Sequence, residues 1–187
     1  IRWALEAGVT AIGENYVREL RVARDAVPGA TWHYVGILQR GNAARVADLA
    51  DVVQSVAAER AARRLAGRAA RAGRTLDALI EVDVTGERAG VAPGDAPALA
   101  DVVASLEGLR LVGLMTIAPL DPDPEQARPW FAALRVLRDR IRDRHPEVVE
   151  TSMGMSLDYE VAVEEGATMV RIGTALFGPR PTEREGV

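Results

Sequence analysis

The sequence contains no cysteine and no lysine. Without cysteine there is no disulfide, no thiolate metal site and no thiol nucleophile, which fits an intracellular, cytoplasmic protein. Without lysine every cationic side chain is an arginine or one of two histidines, and arginine cannot form the imine that lysine forms with an aldehyde. No apolar run reaches membrane-spanning length, and no signal-peptide pattern stands at the start. There is no HExxH, no GxSxG elbow, no P-loop and no cluster of metal ligands. There is also no excess of positive charge: the formal net charge of -4 argues against a nucleic-acid binder.

What remains is an ordinary soluble composition. With 187 residues, 48% apolar and 27% charged, the chain is long enough to bury a sizeable core and is read as one domain over 1–187. It opens on Ile1 rather than Met, as a chain missing an N-terminal piece would.

Short apolar runs alternate with helical patterns throughout. The run 9–12 leads into Gly13-Glu-Asn-Tyr16, and a helix then aligns Val17, Leu20, Ala23 and Val27 on one face. Strands are expected at 31–35, 51–56, 78–84 and 109–117, with helices at 38–49, through 60–72, around 99–106 and along 130–141. Two further strand-and-turn segments close the chain, with a short helix near 158–165 between them. Such alternation means a parallel sheet covered by helices. A doubly wound sheet and a (β/α)8 TIM barrel both fit. The steady repeat favours the barrel, and about seven repeats in a chain that opens in mid-helix imply that the first strand lies upstream of Ile1.

The two closing segments are Thr151-Ser-Met-Gly-Met-Ser156 and Met169-Val-Arg-Ile-Gly-Thr-Ala-Leu-Phe-Gly178. Each runs from a strand through glycine and hydroxyl residues into a helix start, the pattern of an anion cradle built from N–H groups and helix dipoles. In a barrel they fall after the last two strands, where phosphate groups are often bound. Arg171 lies within the last strand and shares a face with Met169 and Gly173, so it is expected to point into the barrel mouth. It is either paired with Glu81 or Asp83, themselves polar barrel-interior candidates, or held as a donor for a ligand. His33 is read as a barrel-interior or rim residue with catalytic base as the alternative. His145 is a helix-end residue, and the arginines of 60–74 form a solvated helix face.

Gly13-Glu-Asn-Tyr-Val17, Trp32-His-Tyr-Val-Gly-Ile-Leu-Gln39, Gly113-Leu-Met-Thr-Ile117 and the two closing motifs resemble the pyridoxal-phosphate homeostasis proteins, single-domain relatives of the alanine racemase N-terminal barrel. The resemblance runs from Ile1 to about Pro181. It implies a barrel that holds pyridoxal 5'-phosphate. Ser152, Met153, Gly154, Met155, Ser156, Gly173 and Thr174 would bind its phosphate, with Asn15 at the cofactor's edge and Arg171 at the pyridine nitrogen.

The sequence departs from the family at three points. The family's Schiff-base lysine matches a position just before Ile1, so this chain has no catalytic residue to assign and would hold the cofactor non-covalently. Gly41-Asn42 stands where the family usually has Asn-Lys, and Arg88 is the nearest match to a basic loop residue, with no role given to it. The resemblance implies a non-catalytic role in storing or delivering the cofactor, with pyridoxal-phosphate-dependent apo-enzymes as partners. The alternatives are an amino-acid racemase on the same barrel and an isomerase or lyase for a phosphorylated metabolite.

Overall fold

The computed structural model describes residues 1–178. Seven parallel strands, β1 (Ala11–Glu14), β2 (Thr31–Tyr34), β3 (Val52–Val56), β4 (Leu76–Glu81), β5 (Leu109–Met115), β6 (Glu150–Met155) and β7 (Met169–Arg171), pair strictly in chain order. Helix α1 (Arg2–Glu6) precedes them. The others follow their strands in turn: α2 (Val17–Ala26), α3 (Ala43–Leu49), α4 (Glu59–Arg71), α5 (Ala96–Ala104), α6 (Arg128–Arg142), α7 (Tyr159–Glu164) and α8 (Thr174–Phe177).

Strand order alone does not separate an open sheet from a barrel; side chains do. Gln54 of β3 is hydrogen-bonded to Ser152 of β6 and to Met169 of β7. Those strands lie three and four places away, and at about 4.8 Å per strand a flat sheet would hold them roughly 14 and 19 Å apart. The sheet therefore curls until its distant strands face each other. This is a TIM-type barrel, with seven strands among the described residues.

Two apolar regions hold it. The larger lies between the outer face of the sheet and the helices, and includes Leu20, Trp32, Leu65, Leu111, Phe131, Leu134 and Met153. Side chains of this size contribute roughly 1.5–3 kcal/mol each when fully buried. The helices reach it because their apolar residues recur every three or four positions: Ala61, Ala62, Leu65, Ala66 and Ala69 form the buried stripe of α4. The smaller region, Val52, Leu79 and Met115, fills the barrel interior. At the end of the barrel where the strands begin, Asp51 accepts from Arg24, from Arg74 and from the Trp32 backbone N–H. Arg74 also donates to the Ala47 and Ala50 carbonyls at 2.6 and 2.7 Å, satisfying the C-terminal end of α3. Arg74 is thus a structural clasp rather than part of a solvated face.

Several expected boundaries move. The helix expected from 38 begins at Ala43, because Asn42 closes a turn ahead of it. Its side chain accepts from the Gln39 N–H at 2.8 Å and donates to the Ile37 carbonyl at 2.9 Å. Strand β4 ends at Glu81 rather than residue 84: Asp83 turns the chain by accepting from Thr85 N, Gly86 N and Arg88 N. Asp83 is therefore a loop-building residue, not a polar side chain of the barrel interior. Strand β5 stops at Met115 instead of 117. Among the described residues no helix is long and apolar enough to cross a membrane.

Candidate functional site

The strands end at a cavity of about 690 Å³, within the range of small-molecule and cofactor sites. Asn15, Met155, Ser156, Arg171, Gly173 and Thr174 line it, together with His33, Gln54 and the loop after β5 around Leu120. Asn15 reaches it because β1 and the loop after β2 approach closely. A Cβ on Gly36 would lie 1.8 Å from the Asn15 carbonyl oxygen, so only glycine admits this contact.

The closing motif Thr151–Ser156 divides into residues that build and residues that face the cavity. Ser152 and Met153 are fully buried, and neither they nor Gly154 line the cavity. Met153 belongs to the packing between sheet and helices. Gly154 has φ +88, and a Cβ there would lie 2.4 Å from the Ala162 Cβ, so it lets α7 press onto β6. Met155 and Ser156 come next and do line the cavity. Ser156 Oγ accepts from the Ala175 N–H at 3.1 Å, joining the β6 turn to the start of α8. Since α8 has four residues, it offers its first N–H groups rather than a long dipole.

Arg171 lies on the cavity wall and has no ion-pair partner among the described residues. Among the described residues no carboxylate comes within salt-bridge distance of it, so of the two alternatives the pairing with Glu81 or Asp83 is absent. Its guanidinium donates instead to Ser152 Oγ and to the Thr116 carbonyl, both at 2.8 Å. Burial lowers its pKa to about 10, only partly offset by the negative charges of Glu81 and Asp158. Burial likewise pushes the Glu81 carboxyl up, against the opposing charge of Arg171. Such a cation, partly desolvated and held by neutral acceptors, is costly unless something in the cavity accepts from it.

Ser152 in turn donates to Gln54 Oε1 at 2.7 Å, and Gln54 Nε2 lies 2.8 Å from His33 Nδ1. His33 is buried, and that burial lowers its pKa despite the opposing influence of Asp51 and Asp77. His145 is remote from all of this, paired with Asp101 at 2.8 Å on the outer surface.

The alanine racemase N-terminal domain family matches residues 1–181. A pyridoxal phosphate homeostasis protein of Aquifex aeolicus is 38% identical over 185 residues, covering 96% of this chain and 81% of that one. Its counterpart in Pseudomonas aeruginosa is 40% identical over 184 residues, covering 96% and 79%. The chain belongs to the pyridoxal phosphate homeostasis protein family.

A solved structure in this family, PipY of Synechococcus elongatus with pyridoxal phosphate bound, superposes with a TM-score of 0.87 at 35% identity, covering 95% of this chain and 85% of that one. Alanine racemase of Clostridium difficile superposes at 0.83 with 14% identity, covering 97% and 48%, and shares the fold. Family membership leaves the roles of individual cavity residues to the geometry. Sequence reasoning missed Gln54, whose one signal was an amide inside the apolar run Val52–Val56, and Thr116, which contributes a backbone carbonyl that no residue-type pattern reveals.

Proposed function

We propose that this chain binds pyridoxal 5'-phosphate in the cavity at the strand ends and serves its homeostasis as a carrier, without catalysing a reaction of its own. The observation that carries this reading is Arg171: a cation on the wall of a cofactor-sized cavity, bonded among the described residues only to neutral oxygens. A guanidinium only donates hydrogen bonds, so Arg171 pairs with an acceptor such as an unprotonated pyridine nitrogen. Ser156 Oγ and the N–H groups of Gly173 and Thr174 suit the phosphate, and Asn15 bounds the cofactor's edge.

When bound, the cofactor supplies an aldehyde and an electron-withdrawing ring. An unprotonated ring withdraws electrons weakly, which suits storage and delivery. The contacts these residues offer are non-covalent hydrogen bonds. The partners of such a carrier are the apo-enzymes that receive the cofactor.

Equilibrium dialysis of the whole chain against pyridoxal phosphate tests this. Saturable binding is expected, weakened by roughly 10- to 100-fold in Arg171→Gln, the loss of one charge-assisted hydrogen bond worth about 1.5–3 kcal/mol. Equal affinity in the variant would reduce Arg171 to a structural residue. Racemisation of free amino acids by the loaded protein would overturn the non-catalytic reading.

A further inference from the structure

Four polar side chains cross the barrel floor in one line: Arg171, Ser152, Gln54 and His33. The bonds in the line run in one direction. Arg171 has no acceptor, so Ser152 Oγ must accept from it. The Ser152 hydrogen then goes to Gln54 Oε1 at 2.7 Å, which turns the Gln54 NH2 group toward His33 Nδ1. A second contact agrees with that orientation: the same Nε2 lies 2.9 Å from Met169 Sδ, a weak acceptor that would repel the amide oxygen. His33 Nδ1 must therefore carry a lone pair, and its single proton sits on Nε2.

We propose that Gln54 and Ser152 are positioning residues that lock His33 in its neutral Nε2–H form, so that Arg171 and His33 both offer the cavity donors only. A ligand then meets them with acceptor atoms. The same line ties the orientation of the guanidinium to that of the imidazole, although the two residues stand on strands β7 and β2. His33 on this account is a fixed donor and not a general base.

The test reads the ligand-free chain first and does not depend on the identity of the ligand. Long-range 15N–1H correlation spectra at neutral pH distinguish the two imidazole tautomers, and His145→Gln assigns the two histidines. Wild-type His33 is expected with Nδ1 unprotonated; a proton on Nδ1 overturns the proposal before any line variant is made. In Gln54→Glu the carboxylate can only accept, so His33 should acquire a proton on Nδ1. An unchanged spectrum in a folded variant breaks the link.

Ser152→Ala supplies the functional arm because Ser152 does not line the cavity. Its His33 signal should become a mixture of tautomers, and its affinity for pyridoxal phosphate should fall several-fold through Gln54 and Arg171. Unaltered tautomer and affinity overturn the positioning role. Failure of wild-type protein to bind pyridoxal phosphate would instead refute the proposed ligand, while the spectra still decide the state of His33.

Discussion

The turns after β6 and β7 look alike in sequence, each a strand running through a glycine and hydroxyl residues into a helix, yet they do different work. The β6 turn spends its polar groups on itself. Its Met155 N–H is taken by Asp158 Oδ1 at 2.6 Å, the Asp158 N–H returns to the Met155 carbonyl, and Gly154 is wedged against α7. The β7 turn is open: among the described residues a Cβ at Gly173 would meet nothing within 4 Å, and one of its N–H groups, that of Ala175, borrows the Ser156 hydroxyl. A strand–glycine–helix pattern therefore marks a sharp turn. Whether the turn binds a ligand depends on who has already claimed its N–H groups.

The glycines give the sharpest contrast. Gly154→Ala forces a side chain into left-handed backbone and onto the Ala162 methyl, and should cost about 3 kcal/mol. For a chain of this size that lowers Tm by roughly 6–12 °C. Gly173→Ala should leave Tm nearly unchanged, since its φ is -118 and the surrounding space is open, and should instead weaken pyridoxal phosphate binding at the adjacent backbone. Calorimetry and dialysis on the two variants separate these effects. If both alanines cost stability equally, the two turns are alike after all.

Asp158→Ala comes next. It strips the acceptor from the Met155 N–H in a turn where Asp158 is 9% exposed, and a hydrogen bond to a charged group is worth about 1.5–3 kcal/mol. Tm should drop by roughly 3–12 °C. A drop below about 1 °C would mean that the β6 turn holds without its internal acceptor and is as free to bind as the β7 turn.

This division explains what the sequence made legible. The strand-and-helix alternation announced a parallel αβ fold because each element repeats its own period, its steady repeat favoured the barrel, and the contacts of Gln54 with Ser152 and Met169 bear the barrel out. The boundaries that moved, at 38–42 and 82–84, are places where one side chain, Asn42 or Asp83, captures backbone N–H groups and ends a regular element early. Competition of that kind is local and depends on conformation, so an apolar pattern does not encode it. The same holds at the site. Ser152 and Met153 read as ligand contacts because their motif is polar and glycine-rich, but the pleat sends Ser152 into the barrel floor and Met153 out toward the helices. Gln54 escaped notice because two of its partners, Ser152 and Met169, lie 98 and 115 positions away in the chain.

Ser156 tests the one hydrogen bond that crosses between the turns among the described residues, and its effect should be the smallest. The Ser156 hydroxyl is partly exposed and its bond to the Ala175 N–H, at 3.1 Å, joins neutral groups. Such a bond contributes about 0.5–1 kcal/mol, so Ser156→Ala should lower Tm by roughly 1–4 °C and pyridoxal phosphate affinity by about two- to fivefold. Ser156→Thr keeps the hydroxyl and should restore most of both. A stability loss as large as that of Asp158→Ala, with affinity untouched, would place Ser156 with the residues that build the β6 turn and leave the ligand to the β7 turn alone.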